Sequence, residues 1–125
     1  MRYLKTLVIV VAMLLCTAMT NDAFANKAAV TLEAPDSAAP GTEITIKVTV
    51  THNGNSMFHH VNWVYIMING KKAGRWEFGW TTLPEAVPFT RELRFKVTGP
   101  LEIKAEANCN IHGSKDPAYK KITIK

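Results

Sequence analysis

The stretch from Glu43 to Thr51 reads EITIKVTVT, with Ile44, Ile46, Val48 and Val50 on one side and Thr45, Lys47, Thr49 and Thr51 on the other. Successive side chains of an extended chain point to opposite faces, so this is a strand with one face in a core and one toward water. The same period recurs downstream. Phe89 to Thr98 alternates through Phe89, Arg91, Leu93, Phe95 and Val97, and Leu101 to Ala107 sets Leu101, Ile103, Ala105 and Ala107 against Glu102, Lys104 and Glu106. Val61 to Ile68 is apolar on both faces, as a central strand is, and Asn69-Gly70 is a strong hairpin signal that returns the chain along Lys72 to Phe78. Ala29 to Glu33 and Ala118 to Lys125 complete the set. Ala34 to Ser37, Pro40-Gly41 and Gly79 to Pro88 read as loops. About seven short strands at regular spacing, with no helix after residue 25, predict an all-β, immunoglobulin-like β-sandwich.

Outward from the strands, the first 25 residues follow a different pattern. Arg2 and Lys5 precede an almost unbroken apolar run of 13 residues, Leu7 to Met19, and Ala23-Phe24-Ala25 offers small residues where a signal peptidase reads. The run is short of the roughly 20 residues a membrane-spanning helix needs. Leu15 stands before Cys16, where a lipoprotein signal needs a small residue. The expectation is a secretory signal over 1–25, cleavage near Ala25, and one periplasmic or otherwise exported domain over 26–125, with no membrane attachment afterwards. One hundred residues hold one two-layer core and not two. Losing Arg2, Lys5 and Asp22 takes the formal charge from +5 to +4. That is enough to favour small anions and too diffuse for nucleic acid, since Lys71-Lys72 and Lys120-Lys121 are isolated pairs on solvated faces.

Cysteine usage points to a site. Cys16 departs with the signal and Cys109 remains alone, so the exported chain has no internal disulfide. A lone thiol in an oxidising compartment calls for burial, a second chain or a metal. Cys109-Asn110-Ile111-His112-Gly113 reads as a turn leaving the strand that ends near Ala107, and a tight turn brings a thiolate and an imidazole three residues apart to the same side. His52 and His59 close the two ends of the loop around Asn53-Gly54-Asn55 and can converge in the same way. A Cys-x-x-His by itself is weak. The weight lies in the combination of an unpaired exported thiol with histidines only at strand ends. His60, adjacent to His59 in an extended segment, points to the other face and is read as a partly exposed ring packing near Trp63. Trp63, Trp76, Tyr65 and the phenylalanines are read as packing.

His59-His60-Val61-Asn62-Trp63 resembles the His-(His/Tyr)-(Ile/Val)-x-Trp segment of superoxide reductases, the ferrous-iron domain of desulfoferrodoxin and neelaredoxin. Cys109-Asn110-Ile111-His112-Gly113 is similar to their Cys-Asn-x-His-Gly segment. The resemblance runs from about Ile44 onward. It implies an immunoglobulin-like sandwich holding one mononuclear, non-haem iron, with His52, His59, His112 and Cys109 as metal ligands and Cys109 as the axial thiolate that tunes reactivity. It also implies superoxide as substrate, hydrogen peroxide as product and an external electron donor. Two departures stand out. Six residues separate His52 from His59 where the family has five, and the family's upstream Glu-Lys-His stretch, source of a fourth histidine and a lysine, has no counterpart, since no histidine lies between Asn26 and Thr51.

Two other readings of the same residues remain. Two histidines and a cysteine on a β-sandwich also suit a copper electron carrier, which usually adds an axial methionine; Gly113 to Pro117 has none, leaving Met57 as the substitute. A metal-free binding module is the third, and it predicts a Cys109 thiol that reacts freely with thiol reagents in the protein as isolated.

Overall fold

A computed structural model describes Tyr3 and residues 27–125. The expected signal over 1–25 lies outside the described residues apart from Tyr3. Among the described residues, no helix is long and apolar enough to cross a membrane.

Eight strands follow one another: β1 (Ala29–Glu33), β2 (Ser37–Ala38), β3 (Glu43–Thr51), β4 (Val61–Ile68), β5 (Lys71–Glu77), β6 (Phe89–Lys96), β7 (Leu101–Cys109) and β8 (Ala118–Ile124). They form a three-stranded sheet in the order β1-β3-β6 and a five-stranded sheet in the order β2-β8-β7-β4-β5. The β-sandwich expected from the alternation is the fold observed. Ile46, Val48 and Val50 of β3 face Val64 and Ile66 of β4, Ile103, Ala105 and Ala107 of β7 and Ile122 of β8 in one buried cluster. Asn69 and Gly70 both take positive φ, 50° and 77°, the conformation of the tight turn that joins β4 to β5.

Three local expectations change. Ser37–Ala38, read as loop, is the short strand β2, which pairs in parallel with Thr123 and Ile124. Two residues carry no periodicity, so nothing in the sequence marks them. The return strand starts at Lys71 rather than Lys72 and stops at Glu77. β7 continues past Ala107 to Cys109, so the cysteine is the last residue of a strand and the point where the turn to Gly113 begins.

That last point sets the side-chain directions. Leu101, Ile103, Ala105, Ala107 and Cys109 are all buried, and so are Ile44, Ile46, Val48, Val50 and His52. In each series a polar donor takes the next inward position after a run of core residues. One belongs to each sheet, and both lie at the same end of the sandwich.

Candidate metal centre

β4 brings the third donor, and a bulge decides which histidine it is. Val61 pairs with Cys109 while Trp63 pairs with Asn108, so β4 has one residue more than β7 across this step. The extra residue reverses the inside-outside alternation at the start of the strand. Val64, Ile66 and Ile68 are buried beyond the bulge, and Val61 is buried before it. Counting back from Val61, His59 falls on the inner side; without the bulge the inner position would belong to His60. Asn108 fixes the bulge by donating from Nδ2 to Asn62 Oδ1 at 2.8 Å.

The fourth donor comes from the turn. Gly113 N–H donates to the Cys109 carbonyl, and Cys109 N–H to the Gly113 carbonyl, both at 3.0 Å. Gly113 has φ 82°, a left-handed conformation that glycine adopts without penalty. The closed turn lays His112 over the cysteine: its Nδ1 is 3.7 Å from Cys109 Sγ, and its backbone N–H donates to the same sulfur at 3.4 Å.

His52 and His112 each meet His59, and each lies beside Cys109. His112 Nδ1 lies 3.0 Å from His59 Nε2. The His52 and His59 rings meet edge to face with centroids 4.8 Å apart, as do those of His59 and His112. One donor atom each from His52, His59 and Cys109 lies within 4.8 Å of the others. Metal–nitrogen bonds of ~2.1 Å set two neighbouring ligand nitrogens ~3.0 Å apart, so the His59–His112 separation suits a shared ion. Burial, followed by the charges of His52, His112 and His60, holds the His59 imidazole below its ordinary pKa. The neutral ring is the form that ligates. Three imidazoles and a sulfur with this softness suit a transition metal, and the donor set fits the iron that the resemblance implies.

His60 is corrected in one respect. It stays out of the cluster but is buried, only 6% exposed, rather than partly exposed beside Trp63. Its Nδ1 is 3.0 Å from the Ser56 carbonyl, and its ring lines a groove with Met57, Phe58, Asn62, Phe78 and Trp80. Met57, the substitute axial ligand of a copper site, is half exposed in that groove. Trp63 stacks on Tyr65 and carries Arg75 over its ring on the outer side of β4.

Asn110, to which the sequence reading assigned no role, joins the two donor loops. Its Oδ1 accepts from His60 N–H at 3.0 Å, its Nδ2 donates to the Phe58 carbonyl at 3.1 Å, and its own N–H donates to the His60 carbonyl at 3.0 Å. The signal available was its place between Cys109 and His112, in a segment already singled out.

Comparison with known proteins follows the same lines. No curated protein matches the chain. It is similar in fold to a superoxide reductase (neelaredoxin) from Ignicoccus hospitalis, with 23% identity and a TM-score of 0.63 over 78% of this chain and 80% of that one. Fibronectin(III)-like modules from Clostridium thermocellum share the sandwich at 22% identity and TM-score 0.56, over 80% of this chain and 47% of that one. So does the CARDB domain of a Pyrococcus furiosus protein in complex with di-metal ions, at 16% identity and TM-score 0.59, over 78% and 92%. The family model described as Desulfoferrodoxin matches residues 20–115, a span that contains both loops and every donor of the cluster. The sandwich, the bulge-selected His59 and the Cys-x-x-His turn thus sit within a match over most of the sequence, and the chain belongs to the desulfoferrodoxin family.

Proposed function

We propose that this protein is an exported iron protein that reduces superoxide to hydrogen peroxide, with His52, His59 and His112 holding the iron through ring nitrogens and Cys109 through its thiolate. The observation that carries the reading is the meeting of His112 Nδ1 with His59 Nε2 at 3.0 Å and with Cys109 Sγ at 3.7 Å. Three donors from two distant loops face one point. Family membership supplies the metal and the reaction class, and the chain's own residues supply the cage.

Bound there, iron supplies the single electron that superoxide needs. The balance is one superoxide, one electron and two protons giving one hydrogen peroxide, with an external donor restoring the electron. Cys109 presents its sulfur from the floor of the cage, where the core shields it, and the His112 N–H bond orients it. Asn110 keeps the 58–60 segment against the turn, so the rings cannot drift apart. The domain that does this is 26–125, released by cleavage near Ala25. Three imidazoles and one thiolate make up its protein ligands.

Two measurements test the proposal. Protein purified without added metal should contain one iron per chain; copper, or no metal, would refute the iron assignment. Rapid mixing of the reduced protein with superoxide should yield stoichiometric, catalase-sensitive peroxide without oxygen release, and accompanying oxygen would mean dismutation instead.

A further inference from the structure

The groove that His60 shares with Phe58, Phe78 and Trp80 lies outside the cage, yet both are built on the same segments. It has a volume of about 670 Å³. His60 and Asn110, which both line it, are clasped to each other: Asn110 N–H donates to the His60 carbonyl and His60 N–H donates to Asn110 Oδ1, both at 3.0 Å. A molecule in the groove is one residue along the chain from Cys109 on one segment and from His59 on the other.

Three observations define what fits there. The walls are largely aromatic, and two of the rings stand in water: Phe58 is 79% exposed and Trp80 64%. A flat ring stacked on such faces or set edge-on to them covers them, and the Met57 thioether adds a contact that also favours aromatic partners. No Asp, Glu, Lys or Arg lines the groove, so a charged ligand would give up its water there without gaining a counter-ion. The third observation is a fixed acceptor. His60 is 6% exposed, and its Nδ1 lies 3.0 Å from the Ser56 carbonyl. A carbonyl oxygen only accepts, so Nδ1 carries the ring hydrogen and Nε2 keeps its lone pair. A nearly buried lone pair gains from a donor, and a ligand hydroxyl supplies one. The volume itself is within the ~300–1,000 Å³ of small-molecule sites.

We propose that the groove binds a neutral, hydroxylated aromatic molecule of the hydroquinone class, held by its ring against Phe58 and Trp80 and by its hydroxyl to His60 Nε2. In the reaction proposed above, on which this role rests, the hydroquinone is the electron donor. One hydroquinone gives up two electrons and two protons and becomes a quinone. The electrons pass singly to the iron, so one hydroquinone, two superoxide ions and two protons from water yield one quinone and two molecules of hydrogen peroxide.

Calorimetry on the protein as isolated tests the site with 2-naphthol and its methyl ether. Both should bind saturably, the naphthol about 10-fold more tightly, because the ether has no hydrogen to donate. His60→Phe keeps a ring in the wall and should bring the two ligands to equal affinity. Trp80→Ala, at a side chain mostly in water, should weaken both, and it keeps the test decisive should His60→Phe fail to fold. For the donor role, ferric protein mixed anaerobically with 1,4-naphthohydroquinone should lose its thiolate-to-iron absorption at a rate that saturates, with half-saturation about 10-fold higher in Trp80→Ala. Equal affinity of the parent for naphthol and ether, or no binding of either, would overturn the site. Dimerisation that Trp80→Ala abolishes, without naphthol binding, would overturn it in favour of a second copy of the chain. Naphthol binding with a reduction rate that never saturates would keep the site and overturn the donor role. Saturable reduction by a protein that consumes no superoxide would support the groove and remove the reductase reading.

Discussion

Cys109 is a residue whose place in the core and whose chemistry come from the same fact, its inward position at the end of β7. Replacing it by serine conserves nearly all the volume and removes the soft ligand. Cys109→Ser should abolish any thiolate-to-metal absorption band in the iron-loaded protein while the far-ultraviolet circular dichroism stays that of the parent; a surviving band would remove Cys109 from the ligand set. Tyr65, on the outer face of β4, gives a second residue-scale prediction. Burial, then the hydrogen bond it donates to Glu106 and the charges of Glu106 and Tyr119, push its pKa from 10.0 up to about 12. A phenol whose pKa is raised in the folded state contributes stability that is fully present below pH ~10 and is lost as pH climbs through about 12. Tyrosinate absorbance should therefore show one late-titrating phenol, and Glu106→Gln should bring it earlier. The grouping of His52, His59 and Cys109 was legible in the sequence, because a single cysteine after residue 25 and histidines confined to strand ends stand out. The burial of His60 was not, because it depends on a groove assembled from β4 and the segment after β5.

At the scale of elements, the turn from Cys109 to Gly113 is the feature most exposed to a single change. A Cβ at Gly113 would meet only Asn108 Oδ1, at an ordinary 3.9 Å, so crowding is not the issue. The cost of Gly113→Ala is the left-handed backbone itself, ~1–2 kcal/mol. Urea unfolding should show that loss, Gly113→Asn should lose less, and an unchanged midpoint would mean the turn relaxes at no cost. Strands with a clear period, β3 and β7 above all, were readable because one buried face leaves its mark every second residue. β2 and the bulge at Asn62 were not, since each is defined by a pairing partner distant in sequence, Thr123–Ile124 for one and Asn108–Cys109 for the other. The bulge matters most among these. Through it β4 offers His59 rather than His60 to the cage.

Across the whole molecule, the cage straddles the two layers: His52 extends β3 of the three-stranded sheet, while His59, Cys109 and His112 adjoin β4 and β7 of the five-stranded one. An ion held by all four would clamp one sheet to the other. A ligand that binds only the folded state stabilises it by ~2.7 kcal/mol at 100 times its dissociation constant. For a domain of this size, removing iron with a chelator should lower the unfolding midpoint on the order of 10 to 20 °C. Reloading should restore it. No shift would show that no ion bridges the two sheets.

Because the donor at 52 comes from the opposite layer to those at 59, 109 and 112, a half-assembled chain offers an ion at most three of the four. The fourth donor arrives only when the layers dock, so the complete cage would be a report of finished assembly. A chain still unfolded would carry an incomplete cage, and the full set of four would exist only where the two layers have closed on each other.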